Sequence, residues 1–176
     1  VALAVTLAGL AWTAVLTGSP GKLKVVFADV GQGDMALVTT PGGHRIVVDG
    51  GVDPGRAAEE AGSAFPFWQR SIDLVVLTHP HSDHVTGLTE LLRRYDVRRV
   101  MERGIEYDSA QHIEWRRAVV AEGAEVIQAR TGHQLTFGDG LLVQVIGPPD
   151  ELLAGTESDI DNASVVLRLV YGNLSF

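Results

Sequence analysis

Asp73-Leu74-Val75-Val76-Leu77-Thr78-His79-Pro80-His81-Ser82-Asp83-His84 is an apolar β-type run that opens straight into three imidazoles and a carboxylate. Packing alone gives no reason for such a cluster behind a buried strand. Imidazole offers a neutral nitrogen donor near pH 7, and Asp offers a hard anionic oxygen. On an irregular loop, side chains at i and i+2 can converge on one ion while those at i+4 and i+5 reach a second. Three of the six histidines of the chain lie here, which argues against a surface loop with chance histidines. The expectation is a divalent-metal site built from His79, His81, Asp83 and His84, with Asp83 a natural ligand of the second ion.

Downstream, Leu88, Leu91 and Leu92 have helical spacing, so the cluster opens into a helix. Val97–Met101 reads as a strand, and Ala110–Glu122 as a helix ended by Gly123. Glu125–Ala129, Leu141–Ile146 and Ser164–Tyr171 read as strands. Upstream, Leu23–Ala28, Met35–Thr40 and His44–Val48 form an antiparallel meander, and Arg56–Gly62 is a helix with Pro54 near its start. Runs of strands with intervening helices give a mixed α/β class with a strand-rich sandwich.

Three further motifs carry polar groups toward strand ends. Asp49 closes the strand Val47-Val48 and precedes Gly50-Gly51, where the backbone can approach a site closely; a turn-capping Asp explains it equally well. Asp29-Val30-Gly31-Gln32-Gly33-Asp34 is a tight turn, better read as a hairpin loop than as an anion cradle. Asp159-Ile160-Asp161-Asn162-Ala163-Ser164 precedes a β-branched strand; its polar residues line a cleft or cap a loop, and the loop is the simpler reading. His44, His112 and His133 are isolated. His112 shares a helix with Glu114, Arg116 and Arg117, which suggests a solvated face.

Val1 to Gly21 contains no charged residue, and Val1–Leu16 is dominated by Val, Ala and Leu. A spanning helix needs about 20 apolar residues. The run is expected to be the end of a transmembrane helix over 1–17, followed by a linker over 18–22 and one domain over 23–176. A signal-peptide core would carry a basic segment ahead of the run. The 176 residues are 45% hydrophobic, enough for a full core, and carry a formal net charge of −8. That charge argues mildly against tight nucleic-acid binding, although bound cations would offset part of it. The chain has no cysteine, so disulfides and thiolate metal sites are excluded.

The pattern His79-x-His81-x-Asp83-His84 after a buried strand, with Asp49 upstream, resembles the metallo-β-lactamase superfamily. With Phe27-Ala28-Asp29-Val30-Gly31-Gln32-Gly33-Asp34, Val48-Asp49-Gly50-Gly51 and Asn162-x-Ser164-Val165-Val166-Leu167, it is similar to the ComEC-type competence proteins. These are bacterial membrane channels for DNA uptake. The resemblance covers Lys22–Phe176. It implies an αββα sandwich, with His79 and His81 on one ion and Asp83 and His84 on the other. It also implies Asp83 beside the attacking water and Asp49 orienting a ligand histidine from behind. Gln32, Asp34 and Asn162 match family positions near the cleft.

The ions implied are two divalent cations, zinc first and manganese as the alternative. The substrate implied is single-stranded DNA, cut by a nuclease domain on the outer side of the bacterial cell membrane. The family pattern continues with a Thr-Gly-Asp and a later His-His-Gly segment that this length of chain does not include. With two ligands visible for the first ion, weak metal binding and little activity are expected of it.

Overall fold

The computed structural model describes residues 21–176. The apolar run expected to end a transmembrane helix lies outside the described residues. Among those, no helix is long and apolar enough to cross a membrane.

Three antiparallel strands open the domain: β1 (Lys24–Phe27), β2 (Ala36–Thr39) and β3 (Arg45–Val48). The chain then winds through parallel crossovers. Helix α1 (Pro54–Ala64) leads through β4 (Ser71–Ile72) to β5 (Leu74–Val76). Helix α2 (Ser82–Arg94) leads through β6 (Asp96–Val97) to β7 (Arg99–Glu102). Helix α3 (Ala110–Glu122) leads to β8 (Glu125–Gln128). The main sheet has the order β1-β2-β3-β5-β7-β8, and β4 pairs with β6 beside it. A second, antiparallel sheet holds β9 (Gln134–Thr136), β10 (Leu141–Gly147), β11 (Val166–Tyr171) and β12 (Leu174–Ser175) in the order β12-β11-β10-β9. A one-turn helix, α4 (Asp159–Asn162), precedes β11.

The period-2 rule sorts the central strands between two cores. Leu37, Val47, Val75 and Val100 face the helices and pack with Val85, Leu88, Leu91 and Trp115. Their neighbours Val38, Ile46, Leu74, Val76 and Met101 face the second sheet and meet Phe137, Leu141, Val143, Val145 and Leu169. The described residues thus form helix, sheet and sheet layers, three of the four expected of an αββα sandwich.

Local chemistry fixes the helix ends. Asp53 caps α1, accepting from the amides of Gly55 (2.8 Å) and Arg56 (3.2 Å), with Pro54 in the first turn. Ser109 caps α3, and Gly123 ends it in the left-handed conformation (φ 73°).

Three sequence expectations need correcting. The strand expected over Val97–Met101 is two strands, because at Arg98, whose amide still donates to Ile72 O, the chain passes from pairing with β4 to pairing with β5. His112 is not solvated: it is 4% exposed and its Nδ1 lies 3.0 Å from Tyr107 O. The helix turns its 112–115–119 stripe inward, and the charged residues noted beside His112 lie off that stripe. The segment 159–164 is not a plain loop, because α4 forms within it.

The two sheets are tied together at one end by Asp139, whose Oδ2 accepts from the Gly42 amide (2.8 Å) across the layers. Burial alone would raise this carboxyl. Hydrogen bonding from Thr40 and from the amides of Gly42 and Leu141, with His44 nearby, holds it below the usual value instead. A carboxyl depressed on folding stabilises fully above its unfolded value near 3.9, and loses that contribution as pH falls through the lower folded value. Asp139→Asn should therefore flatten the acid limb of a stability–pH curve below about pH 4. Chemical melts at a series of pH values check this. An unchanged acid limb would deny the tie.

Candidate metal centre

The site forms where the parallel strands β3 and β5 end side by side. Asp49 follows β3 and Thr78-His79 follows β5. Asp49 is 3% exposed and has φ 55°, the one non-glycine residue with positive φ among the described residues. Left-handed backbone at a buried aspartate costs of order 1 kcal/mol or more and persists where the surroundings enforce it. Here they do. Asp49 Oδ1 accepts from the Thr78 amide (2.9 Å), and Oδ2 accepts from Thr78 Oγ1 (2.7 Å) and lies 2.9 Å from His84 Nδ1.

That network sets the imidazoles. With Nδ1 of His84 on Asp49, Nε2 is left as the free donor. Thr78 Oγ1 also lies 3.0 Å from His79 Nδ1, so His79 likewise presents Nε2. A histidine whose rear nitrogen is fixed in this way is positioned as a metal ligand. The His79 ring lies 4.8 Å from that of His81 and 4.0 Å from that of His84, centroid to centroid.

A carboxylate that the sequence reading placed in a loop completes the first set. Asp161, on α4, places Oδ1 3.3 Å from His79 Nε2 and 3.0 Å from His81 Nδ1. One donor atom from each of these three residues lies within 4.8 Å of the others. Beside the two donors expected for the first ion, the structure thus brings a third candidate donor. Asp161 is held there by Ser158 Oγ, 2.5 Å from Oδ2, and by the Val165 amide, which donates to Thr78 O (2.9 Å) and seats β11 against the histidine loop. The available signal was Asp161 standing directly before the Asn162-x-Ser164 motif. The contact spans about 80 residues of sequence, and no local pattern announces it.

Asp83 and His84 flank this set. Asp83 Oδ1 is 4.0 Å from His84 Nε2, and the Gln32 amide reaches 3.5 Å from Asp83 Oδ2, the limit of a hydrogen bond. The Gly-rich turns wedge against the helix that carries them. Gly50 N donates to His84 O (2.9 Å) and Gly87 N donates to Gly51 O (3.1 Å). A Cβ on Gly87 would lie 1.9 Å from Gly50 O, and one on Gly33 1.7 Å from Asp83 O. Asp34 O accepts from the Gly51 amide (3.0 Å), and Asn162 Nδ2 donates to Thr156 Oγ1 (2.8 Å). These two residues brace the loops around the site.

Protonation follows from the same surroundings. Burial, with His84 and His81 close by, pushes the His79 imidazole below its ordinary value, which leaves it neutral and able to donate a lone pair. Burial would also lower His84. The Asp49 hydrogen bond and the charges of Asp49, Asp83 and Asp34 outweigh it and raise the imidazole. Asp161 is held low chiefly by Ser158, then by the nearby His81, His79 and His84. Two oriented imidazole nitrogens and an ionised carboxylate on one focus fit a divalent cation, and Asp83 and His84 offer donors for a second.

The sequence over residues 28–165 matches the family model of the metallo-β-lactamase superfamily, and the chain belongs to that superfamily. Members of this superfamily use divalent metals. Among solved structures, a metallo-β-lactamase of Cronobacter sakazakii is 16% identical and covers 82% of this chain, with a TM-score of 0.53. The Rm3 metallo-β-lactamase is 18% identical and covers 92% (TM-score 0.53). CmlA, a diiron β-hydroxylase from Streptomyces venezuelae, is 18% identical and covers 89% (TM-score 0.51). The chain spans 56% and 61% of the two lactamases and 29% of CmlA. At these identities the likeness is one of fold. No curated protein sequence matches the chain.

Asp49→Asn keeps the shape of the side chain and removes its charge behind His84. Metal affinity should fall about 10- to 100-fold, the usual cost of losing such a partner. Calorimetric titration with Zn2+ reads it, and an unchanged affinity would remove Asp49 from the site.

Proposed function

We propose that this chain is the metal-dependent hydrolase domain of a bacterial membrane DNA-uptake protein of the ComEC type, and that it cuts the DNA strand left outside the cell. The observation that carries a hydrolytic reading is the convergence of His79, His81 and Asp161 on one focus, flanked by Asp83 and His84. DNA as substrate is supported by the Gly31-Gln32-Gly33-Asp34 turn and the Asn162-x-Ser164 motif, and the membrane by the apolar run ahead of Lys22.

Divalent ions bound here would supply a water of lowered pKa and a Lewis acid for the phosphoryl oxygen. The residues of the chain do the positioning. His79, His81 and Asp161 would hold the first ion. Asp83 and His84 would hold the second, with Asp83 the carboxylate available to the water side of the site. Asp49 keeps His84 in the tautomer that leaves Nε2 free. Asp161 brings a hard oxygen to the first set, which suits manganese as well as zinc.

Replacing His81 and Asp83 by Ala in the protein carrying the complete domain should abolish metal-dependent cleavage of single-stranded DNA. Cleavage at the wild-type rate would refute the reading. Intact metal binding with no cleavage in the wild type would favour a metal-stabilised module that guides DNA to a channel. Turnover of a β-lactam or thioester in place of DNA would favour another hydrolase of the same fold.

A further inference from the structure

The end of the domain opposite the metal centre carries an aromatic and cationic surface. Strands β3, β5 and β7 run parallel toward the metal site, so their starts at Arg45, Leu74 and Arg99 share the far end. Lys24 pairs with Thr39, and Thr39 with Arg45, which puts the entry of the chain into the domain at that same end. The segment Phe65–Arg70 also lies there. It joins α1 to β4, and Arg70 O accepts from the Asp96 amide (2.8 Å). Phe65 is anchored under Arg45, whose guanidinium sits 5.9 Å above its ring and whose Nη2 donates to Ser71 Oγ (3.0 Å).

Beyond that anchor the loop turns apolar side chains outward. Phe67 is 84% exposed and Trp68 is 60% exposed, with their rings edge to face at 4.9 Å. Scattered exposed apolar residues are ordinary; a paired Phe and Trp at one loop tip are not. A cavity of about 220 Å³ lies beside them, lined by Phe65, Phe67, Gln69, Arg70, Arg94 and Tyr95. Arg94 is engaged by Glu90 (2.6 Å). Arg70, Lys22 and Lys24 have no ion-pair partner among the described residues and are exposed. The exposed Asp96 stands next to Arg70, so the basic side chains free at this end are Arg70 by the aromatic tip and Lys22 and Lys24 where the chain enters the domain.

We propose that the Phe67–Trp68 loop, with Arg70, Lys22 and Lys24, docks on an anionic bilayer surface. Aromatic rings with an apolar body settle at the headgroup level, and each basic residue near an anionic leaflet adds to the attraction. The occupant follows from what leaves this end. The uncharged run Val1–Leu16 joins Lys22 through five residues, Thr17–Gly21. Extended, five residues span less than about 20 Å. A membrane that receives the run would therefore lie against this end and not against the metal site. The docking is a second contact, made by the folded domain itself, and it holds the metal centre away from the bilayer. The docking rests on the membrane attachment proposed above, and not on what the metal centre cleaves.

The chain has no cysteine, which permits clean labelling. Phe67→Cys and, as a reference on the exposed start of α3, Gln111→Cys are each labelled with an environment-sensitive fluorophore in the full chain. The chains are mixed with phosphatidylcholine vesicles with and without phosphatidylglycerol. Flotation with the vesicles reports attachment of the whole chain, and the label reports the loop.

The expected result is a blue shift and quenching by nitroxide lipid at position 67 but not at 111, stronger with phosphatidylglycerol. Arg70→Glu should lower the docked-to-free ratio about tenfold or more. A label at 67 that stays as open to aqueous iodide as the one at 111, on chains that do float, overturns the proposal. So does protection of position 67 by an oligothymidylate or by self-association at higher protein concentration without lipid.

Discussion

Asp161→Ala should cost this domain its first metal ion while leaving its fold intact. The residue sits on the one-turn helix α4, with its side chain 53% exposed, and its backbone carries little of either core. Its role lies in Oδ1, which faces His79 Nε2 and His81 Nδ1 at 3.3 and 3.0 Å. With Asp161 gone, the two imidazoles remain with no anionic oxygen beside them to balance a cation. Apparent binding energies of about 10–16 kcal/mol for a four-ligand structural zinc imply a few kcal/mol per ligand. An affinity loss of about 100-fold or more is therefore expected, since each factor of ten is about 1.4 kcal/mol. Asp161→His should recover much of the loss for zinc and less of it for manganese, because the replacement exchanges a hard oxygen for a nitrogen. Calorimetric titration with each ion reads these effects, and urea melts without metal should show the same midpoint for both variants.

Gly33→Ala should be the most damaging single methyl that can be added near the site. Gly33 has φ +89°, and a Cβ there would lie 1.7 Å from the backbone oxygen of Asp83. Gly43 supplies the control: its φ is +85°, but nothing lies within 4 Å of its Cβ position. Both substitutions carry left-handed backbone strain, and only one carries the collision. Gly43→Ala should therefore cost about 1 kcal/mol. Gly33→Ala adds overpacking, which takes the total to about 3 kcal/mol or more. The colliding atom belongs to the first turn of α2, so the turn that carries Asp83 and His84 must shift. Metal affinity should then fall along with stability. Equal urea midpoints for the two variants would show that the Gly-rich turn does not press on the metal loop.

These two residues also show where the sequence was legible. The histidine cluster announced itself because four donors fall within six residues, running from the loop into the first turn of α2, behind a strand whose side chains are buried on both faces. The crossover helices followed from leucine spacing and caps, and Ala110–Glu122 is a helix with those bounds in the structure. Asp161 was hidden because its partnership with His79 and His81 is made only when β11 docks beside β5 through the Val165 amide and Thr78 O. Strands β4, β9 and β12 are two or three residues long, too short to show a period. His112 was misjudged because the charged residues beside it on the helix outweighed a buried stripe that only packing against β7 reveals. Trp115, on that stripe, donates from Nε1 to Glu102 at 2.8 Å.

A crystal soaked in Zn2+ or Mn2+ and measured at the metal edge gives the most direct test. The account predicts an anomalous peak bounded by His79 Nε2, His81 Nδ1 and Asp161 Oδ1, with any second peak beside Asp83 and His84 Nε2. Full metal occupancy elsewhere on the domain, with these side chains left unliganded, would contradict it.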